Sequence, residues 1–328
     1  MGKRGWIRTD EELAAFVKET DEILNKGTYL NLMLQLNKLA RHSKGAGITT
    51  QRQYYHHMDL FIRFLADEFG VRKLANISGK HLAAYVENRQ SEGASASTVK
   101  NDLAAIRYYH DQLPDPRHRL PDNKSLCETY GVSLDRRSFG GVNRRWTWSE
   151  VQHMVDIAMR KERHDVSAMI RIGAGLGLRI HEVVRLSRGD IERALRTGVL
   201  HVKGKGGLIR AVPLNKEMSA LLRNIIVSVP RGQKVFVPPE RKAHEVIQSV
   251  QSFIHHHRDR VEEPGARPAG VHLTFHGLRH FFAYNRYQEF IKLGFSPSAA
   301  RIKVAELLGH FRDDVTRIYL AEGEDQNG

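Results

Sequence analysis

The chain has 328 residues, 51 Lys+Arg against 37 Asp+Glu, and a formal net charge of +14. The length allows two domains with ample core, and the cationic excess points to an anionic polymer such as nucleic acid. A single cysteine, Cys127, excludes an intramolecular disulfide and a multi-cysteine zinc site.

The opening MGKRGWIRTDEELAAF has no secretory apolar core, and no apolar run approaches membrane-spanning length. A soluble protein of the cytoplasm, associated with the nucleoid, is expected, with no membrane contact. Residues 1–28 read as a charged N-terminal extension with one short helix over Asp10–Leu24.

Residues 29–120 read as an all-helical module. YLNLMLQLNKLARHS puts Leu30, Met33, Leu34, Leu36 and Leu39 mostly on one face. In ITTQRQYYHHMDLFIRFLADEFG, Thr49 or Thr50 caps, Tyr54, Met58, Phe61, Ile62 and Leu65 form an apolar stripe, and Gly70 closes it. Ser78 caps the next helix. Ser97 or Thr98 caps VKNDLAAIRYYHDQL, which turns Leu103, Ile106 and Tyr109 inward and stops at Pro114 and Pro116. The polar faces carry Lys38, Arg41, Lys44, Arg52, Arg63, Lys80, Lys100 and Arg107, open to phosphate contact or to plain solvation. Among these, Lys38, Arg41, Arg52 and Lys100 are candidates for DNA binding, as are Arg144, Arg145 and Lys203 further along the chain. His56 and His57 are adjacent on a helix and face different ways, so they read as ordinary histidines rather than ligands.

Residues 121–145, rich in Pro, Gly and charge, read as a linker with room for one short helix. Arg136, Arg137, Arg144 and Arg145 suit a basic strap over a duplex backbone, or an exposed linker.

Residues 146–328 form the expected second domain. Thr147 or Ser149 caps TWSEVQHMVDIAMRKE. The helix VSAMIRIGAGLGLRIHEVVRL follows, interrupted by Gly173, Gly175 and Gly177, with Arg179 next and Glu182 one turn on. VLHVKGKGGLIRAVPL reads as a β-hairpin with Lys205 at its turn and Lys203 just before it. VFVPP gives a short strand and a Pro-initiated helix that ends in His255, His256 and His257. Consecutive helical residues cannot converge on one ion, so these read as solvated or phosphate-facing.

The chain closes on TFHGLRHFFAYN and ELLGHFRDDVTRIYL. Thr274 is an N-cap, His276 and Arg279 share one helical face, Gly309 is a C-cap signal before His310, and Tyr319 rides the last helix. Arginine forks bind two phosphate oxygens, histidine moves protons near neutral pH, and an activated tyrosine is a nucleophile.

Four pieces, GLGLRIHEVVRL, VKGKGGLIRAVPL, HGLRH and LLGHFRDDVTRIYL, resemble in this order the catalytic domain of the tyrosine recombinases, or phage integrase family. The resemblance spans about Trp146–Leu320, and residues 29–113 resemble the SAM-like core-DNA-binding domain that precedes it. It implies a mainly α fold with a small β-hairpin in two domains. It implies Arg179, Lys205, His276, Arg279 and His310 as the catalytic set, Tyr319 as nucleophile and Glu182 as an orienting partner. Attack on a DNA phosphodiester builds charge that Arg179 and Arg279 would neutralise, with a hydrogen bond from His310. Lys205 would protonate the leaving oxygen, and His276 is the candidate base. The product would be a 3′-phosphotyrosyl link, with no cofactor and no metal. The partners implied are double-stranded DNA carrying inverted-repeat-like sites and a synaptic homo-tetramer, monomeric or dimeric off DNA. A mobile element or phage is the expected setting. The alternatives are a relaxing enzyme of the type IB topoisomerase kind, or an inactive DNA-binding accessory protein. The few polar and acidic residues after Tyr319 leave little chain for the docking tail of many family members.

Overall fold

The computed structural model describes residues 5–135, 142–204, 208–309 and 313–320. The chain divides into two compact units, Met1–Ser138 and Phe139–Gly328.

The first unit is helical: α1 (Asp10–Glu19), α2 (Lys26–His42), α3 (Ile48–Phe64), a π turn over Leu65–Phe69, α4 (Gly79–Ser91), α5 (Ala96–His110) and α6 (Asn123–Tyr130). A reciprocal box starts α1. The Thr9 hydroxyl accepts from the Glu12 amide and the Glu12 carboxylate accepts from the Thr9 amide. Two caps fall earlier than the sequence reading placed them. Gly47 precedes α3, and Ser95 precedes α5, its hydroxyl accepting from the Thr98 amide. The loop before α5 offers several hydroxyls, and the one that meets an orphan amide three residues on becomes the cap.

The buried face of α2 is Tyr29, Leu32, Met33, Leu36 and Ala40, whereas Leu30, Leu34 and Leu39 are only partly covered. This helix has more leucines than one face can bury, so its stripe was misplaced by about one residue. The core extends past residues 29–120 at both ends. Ile7, Leu13, Val17 and Ile23 join it from one side and Leu126 and Val132 from the other. Asp102, fully buried, holds His57 Nδ1 at 2.5 Å and Arg89 Nε at 3.2 Å, which makes His57 a structural partner.

The second unit comprises α7 (Trp148–Arg160), α8 (His164–Leu176), α9 (Ile180–Val183), α10 (Arg188–Thr197), the antiparallel pair β1 (Val199–Lys203) and β2 (Ile209–Pro213), α11 (Lys216–Ile226), α12 (Ala243–His257), α13 (Phe275–Lys292), α14 (Pro297–Leu308) and α15 (Asp313–Leu320). The mainly α architecture with one small hairpin is as expected. The long helix read through the three glycines breaks into α8 and α9. Gly177 takes φ +62°, and a Cβ there would lie 2.3 Å from Phe282 Cδ1. The strand expected at VFV is absent from the described pairing, where Lys234 makes only an isolated bridge to Ser187. Pro238 and Pro239 donate no amide to a ladder, and α12 starts instead after Lys242.

In the hairpin, Val202 faces Arg210 and Leu200 faces Val212, and this face is buried. One apolar cluster joins α7, α8, α10, α12 and the hairpin through Met154, Ile170, Ile191, Leu200 and Val250. Another seats α15 on α13 and α14 through Phe282, Tyr287, Val304, Leu308 and Leu320, and Tyr319 is part of it. No helix among the described residues is long and apolar enough to cross a membrane.

Candidate active site

The site is built on the first turns of α13. Thr274 caps that helix, its hydroxyl accepting from the Gly277 amide at 3.3 Å, while its carbonyl accepts from Trp146 Nε1 at 2.9 Å. Gly277 is required by packing: a Cβ would lie 2.5 Å from the Arg144 carbonyl oxygen. The segment carrying Arg144 therefore presses directly on the turn that presents His276. A buried clasp fixes that segment. Glu150 is 0% exposed and accepts from Arg267, whose Nη1 also reaches the Arg145 carbonyl at 2.8 Å.

Arg279 follows one turn later and is 0% exposed. Its Nη1 donates to the Gly177 carbonyl at 2.6 Å and its Nη2 to the Leu308 carbonyl at 2.5 Å. Its Nε faces the Tyr319 hydroxyl at 3.4 Å. Burial lowers this guanidinium to about 10, with the Tyr319 hydroxyl opposing the shift, so it is cationic at neutral pH. Both acceptors exist because of glycine-ended helices. Gly177 ends α8 and Gly309 ends α14, and such ends leave carbonyls without helical partners.

Arg179 precedes α9. Its amide donates to Glu182 Oε2 at 2.8 Å and its Nη1 to Oε1 at 3.1 Å. Glu182 is gripped from β2 as well, by Arg210 Nη1 at 2.9 Å and Nη2 at 2.6 Å. Burial raises the Glu182 pKa, but the Arg210 fork, the Arg179 amide and Arg279 outweigh it and bring the group to about 2. It is a fixed carboxylate and no proton carrier at neutral pH.

His276 stands on the cleft side of α13. Its ring centroid lies 5.8 Å from that of Tyr319 and 5.2 Å from that of His280. Its pKa is lowered to about 4 by desolvation first, then by Arg279, Arg179 and Arg144. The side chain is exposed by surface area, so solvent softens that effect. The unbound imidazole is neutral near pH 7 and offers a lone pair. His280 is 2% exposed, and its ring lies 4.7 Å from the Tyr319 ring. Burial, then His276, pushes it down to about 3.

Arg179, His276, His181, His255 and Arg258 line a cleft of ≈ 420 Å³. Four of the named site residues, Arg179, His276, Arg279 and Tyr319, thus converge with Glu182 behind them. Lys205, His310, Arg136 and Arg137 lie outside the described residues. Lys203 is exposed on β1. Arg144 is exposed beside α13, and Arg145 stacks its guanidinium 3.7 Å above the Tyr284 ring. On the first unit, Lys38 and Arg52 are exposed. Arg41 pairs with Asp10 at 3.2 Å, Lys100 donates to the Asp135 carbonyl at 2.5 Å, and Arg107 donates to the Pro121 carbonyl and Asn123. The last three have internal partners that the sequence did not reveal.

Among the described residues, one group has metal-ligand geometry: Asp259, Glu262 and His272. Glu262 already bridges His272 Nδ1 at 3.1 Å and the Leu273 amide at 2.7 Å. In the His255–His257 run, His257 is buried against Phe253 and the other two are exposed.

Sequence reasoning missed Arg210 and His280. A signal existed for Arg210, an arginine in phase with Leu200, Val202 and Val212 on the inward face of the hairpin. His280 carried one too, lying four residues after His276 and therefore on the same helical face.

Residues 144–325 match the phage integrase family, and residues 30–112 match the N-terminal phage integrase domain. Over 293 residues the chain is 26% identical to tyrosine recombinase XerC of Vibrio parahaemolyticus, covering 85% of this chain and 84% of that protein. The fold is similar to that of the XerH site-specific recombinase bound to palindromic difH substrate (TM-score 0.56, 20% identity, 94% of this chain and 92% of that one). It is also similar to a lambda integrase(75-356) dimer bound to a COC′ core site (TM-score 0.56, 17% identity, 90% and 97% covered). With the family match extending over more than half its length, this chain belongs to the phage integrase family, the tyrosine-type site-specific recombinases.

Proposed function

We propose that this recombinase cuts and rejoins double-stranded DNA with Tyr319 as its nucleophile and with Arg179, Arg279, His276, Lys205 and His310 as its catalytic groups. The observation that carries the reading is the meeting of Arg279 and His276 with Tyr319, under a cleft lined by Arg179.

The Tyr319 oxygen attacks phosphorus and the bond to the 5′ oxygen breaks. The phenol proton passes to neutral His276, and the departing 5′ oxygen takes a proton from Lys205. Arg179, Arg279 and His310 stabilise the charge on the non-bridging oxygens, each donor contributing on the order of 10²–10³ in rate. The 3′-phosphotyrosyl bond keeps the phosphodiester's energy, so a 5′ hydroxyl of another strand reverses the step and no nucleotide is hydrolysed. Exposed Lys38, Arg52, Arg144 and Lys203 contact phosphates. A synaptic tetramer on inverted-repeat-like sites and a mobile-element setting complete the proposal.

The test has two stages. Covalent adducts are captured from fragmented genomic DNA of the source organism and their attachment sites sequenced. A duplex carrying that site, nicked so that cleavage is irreversible, is then incubated with the protein. A 3′ adduct is expected from wild type and none from Tyr319→Phe. An adduct that persists in Tyr319→Phe overturns the assignment.

A further inference from the structure

Arg210 and Arg179 share one carboxylate. The Arg210 fork takes both Glu182 oxygens, at 2.9 and 2.6 Å, while Arg179 reaches Oε1 through a single guanidinium nitrogen at 3.1 Å. The Glu182 side chain is 0% exposed, that of Arg210 3% and that of Arg179 30%. The inner arginine therefore neutralises the acid, and the outer one keeps its remaining donors toward the cleft.

We propose that Arg210 is a positioning residue: it occupies Glu182 so that Arg179 retains its charge and its free N–H groups for the scissile phosphate. This rests on the reading of Arg179 and Tyr319 given above. Without Arg210, a buried carboxylate would face Arg179 with no other fork to satisfy it. A bidentate Arg179–Glu182 pair would form, turn the guanidinium inward and cancel its charge. The stem of Arg210 makes a second contact, by packing. A Cβ on Gly309 would lie 2.7 Å from Arg210 Cδ, so Arg210 packs against the end of α14, whose Leu308 carbonyl holds Arg279. One side chain thus supports the groups that aim both arginines.

The experiment measures single-turnover cleavage of the nicked duplex at saturating DNA, together with DNA affinity and thermal stability. It compares wild type, Arg210→Met, Arg210→Lys and the double variant Arg210→Met/Glu182→Gln. Arg210→Met is expected to lower the cleavage rate about 10²-fold, the cost of mis-setting one charge-stabilising donor. Removing the acid's charge in the double variant is expected to restore at least about ten-fold of that loss, because nothing then captures Arg179. A role confined to packing predicts no such recovery. Wild-type cleavage by Arg210→Met, or a double variant no faster than the single, overturns the proposal. If Arg210→Met does not fold, Arg210→Lys with and without Glu182→Gln gives the same comparison, and absence of recovery is again fatal. Loss of the wild-type Tyr319 adduct would instead overturn the underlying reading.

Discussion

Arg279 reaches the Tyr319 hydroxyl with its Nε while its two terminal nitrogens hold the carbonyls of Gly177 and Leu308. One guanidinium thus ties the end of α8, the end of α14 and the tyrosine of α15 to α13. A fork is needed for that, since three acceptors lie in different directions around one plane. Arg279→Lys is expected to keep the charge and lose the geometry. Its cleavage rate should fall about 10²–10³-fold while DNA affinity changes far less. Quenched-flow cleavage and an electrophoretic binding assay separate the two.

Gly177 supports the same contact from the other side. Its φ of +62° and the 2.3 Å approach to Phe282 leave no room for a side chain. Gly177→Ala should cost about 1–3 kcal/mol through backbone strain and overpacking. It should also slow cleavage, because the carbonyl that anchors Arg279 moves. Urea denaturation reads the first effect, and the nicked-duplex assay reads the second.

Histidines with lowered pKa values make the fold sensitive to acid. His280 is held neutral, with its pKa lowered to about 3, so the unfolded chain binds the proton more readily. The stabilisation is therefore fully present above about pH 6.5 and is lost as pH falls toward 3. His276 adds a loss over pH 6.5 to 4, weakened by its exposure to solvent. Melting temperature plotted against pH should fall through this window, and His280→Gln should flatten the slope. A bound phosphate should raise the His276 pKa, since an anion then offsets Arg179 and Arg279. NMR titration of the His276 ring with and without DNA measures that shift.

The Glu150–Arg267 clasp gives a stability test away from the reacting atoms. Arg267→Ala would leave a carboxylate that is 0% exposed with the Thr147 and Glu263 amides but no counter-charge, and should cost about 3–5 kcal/mol. Because the clasp holds the Arg144 segment against α13, a lower DNA affinity should accompany the loss. Differential scanning calorimetry and binding isotherms check both.

Several features were readable before folding because they are local. The His-x-x-Arg spacing puts two groups on one helical face, alternation marks the hairpin, and Thr147, Ser78 and Thr274 carry their cap chemistry in the sequence. Local ambiguity explains the misses. α2 has leucines on more than one face, the loop before α5 has several hydroxyls, and the β-rich triplet pairs only through the Val235 amide, to the Leu186 carbonyl, before two prolines end the run.

By itself, the sequence determined which residue types were available and in what order: two arginines, histidines, a hairpin lysine and a late tyrosine, on helices of definite period. Only the tertiary structure decided how those charges are shared. Arg279 is buried against carbonyls from residues 177 and 308, Arg210 divides Glu182 with Arg179, and His280 sits against Tyr319. Apart from the Arg179–Glu182 pair one turn apart, each is a contact between segments far apart in the chain. Burial strengthens the electrostatics there, and burial is a property of the packed molecule that no sequence spacing encodes.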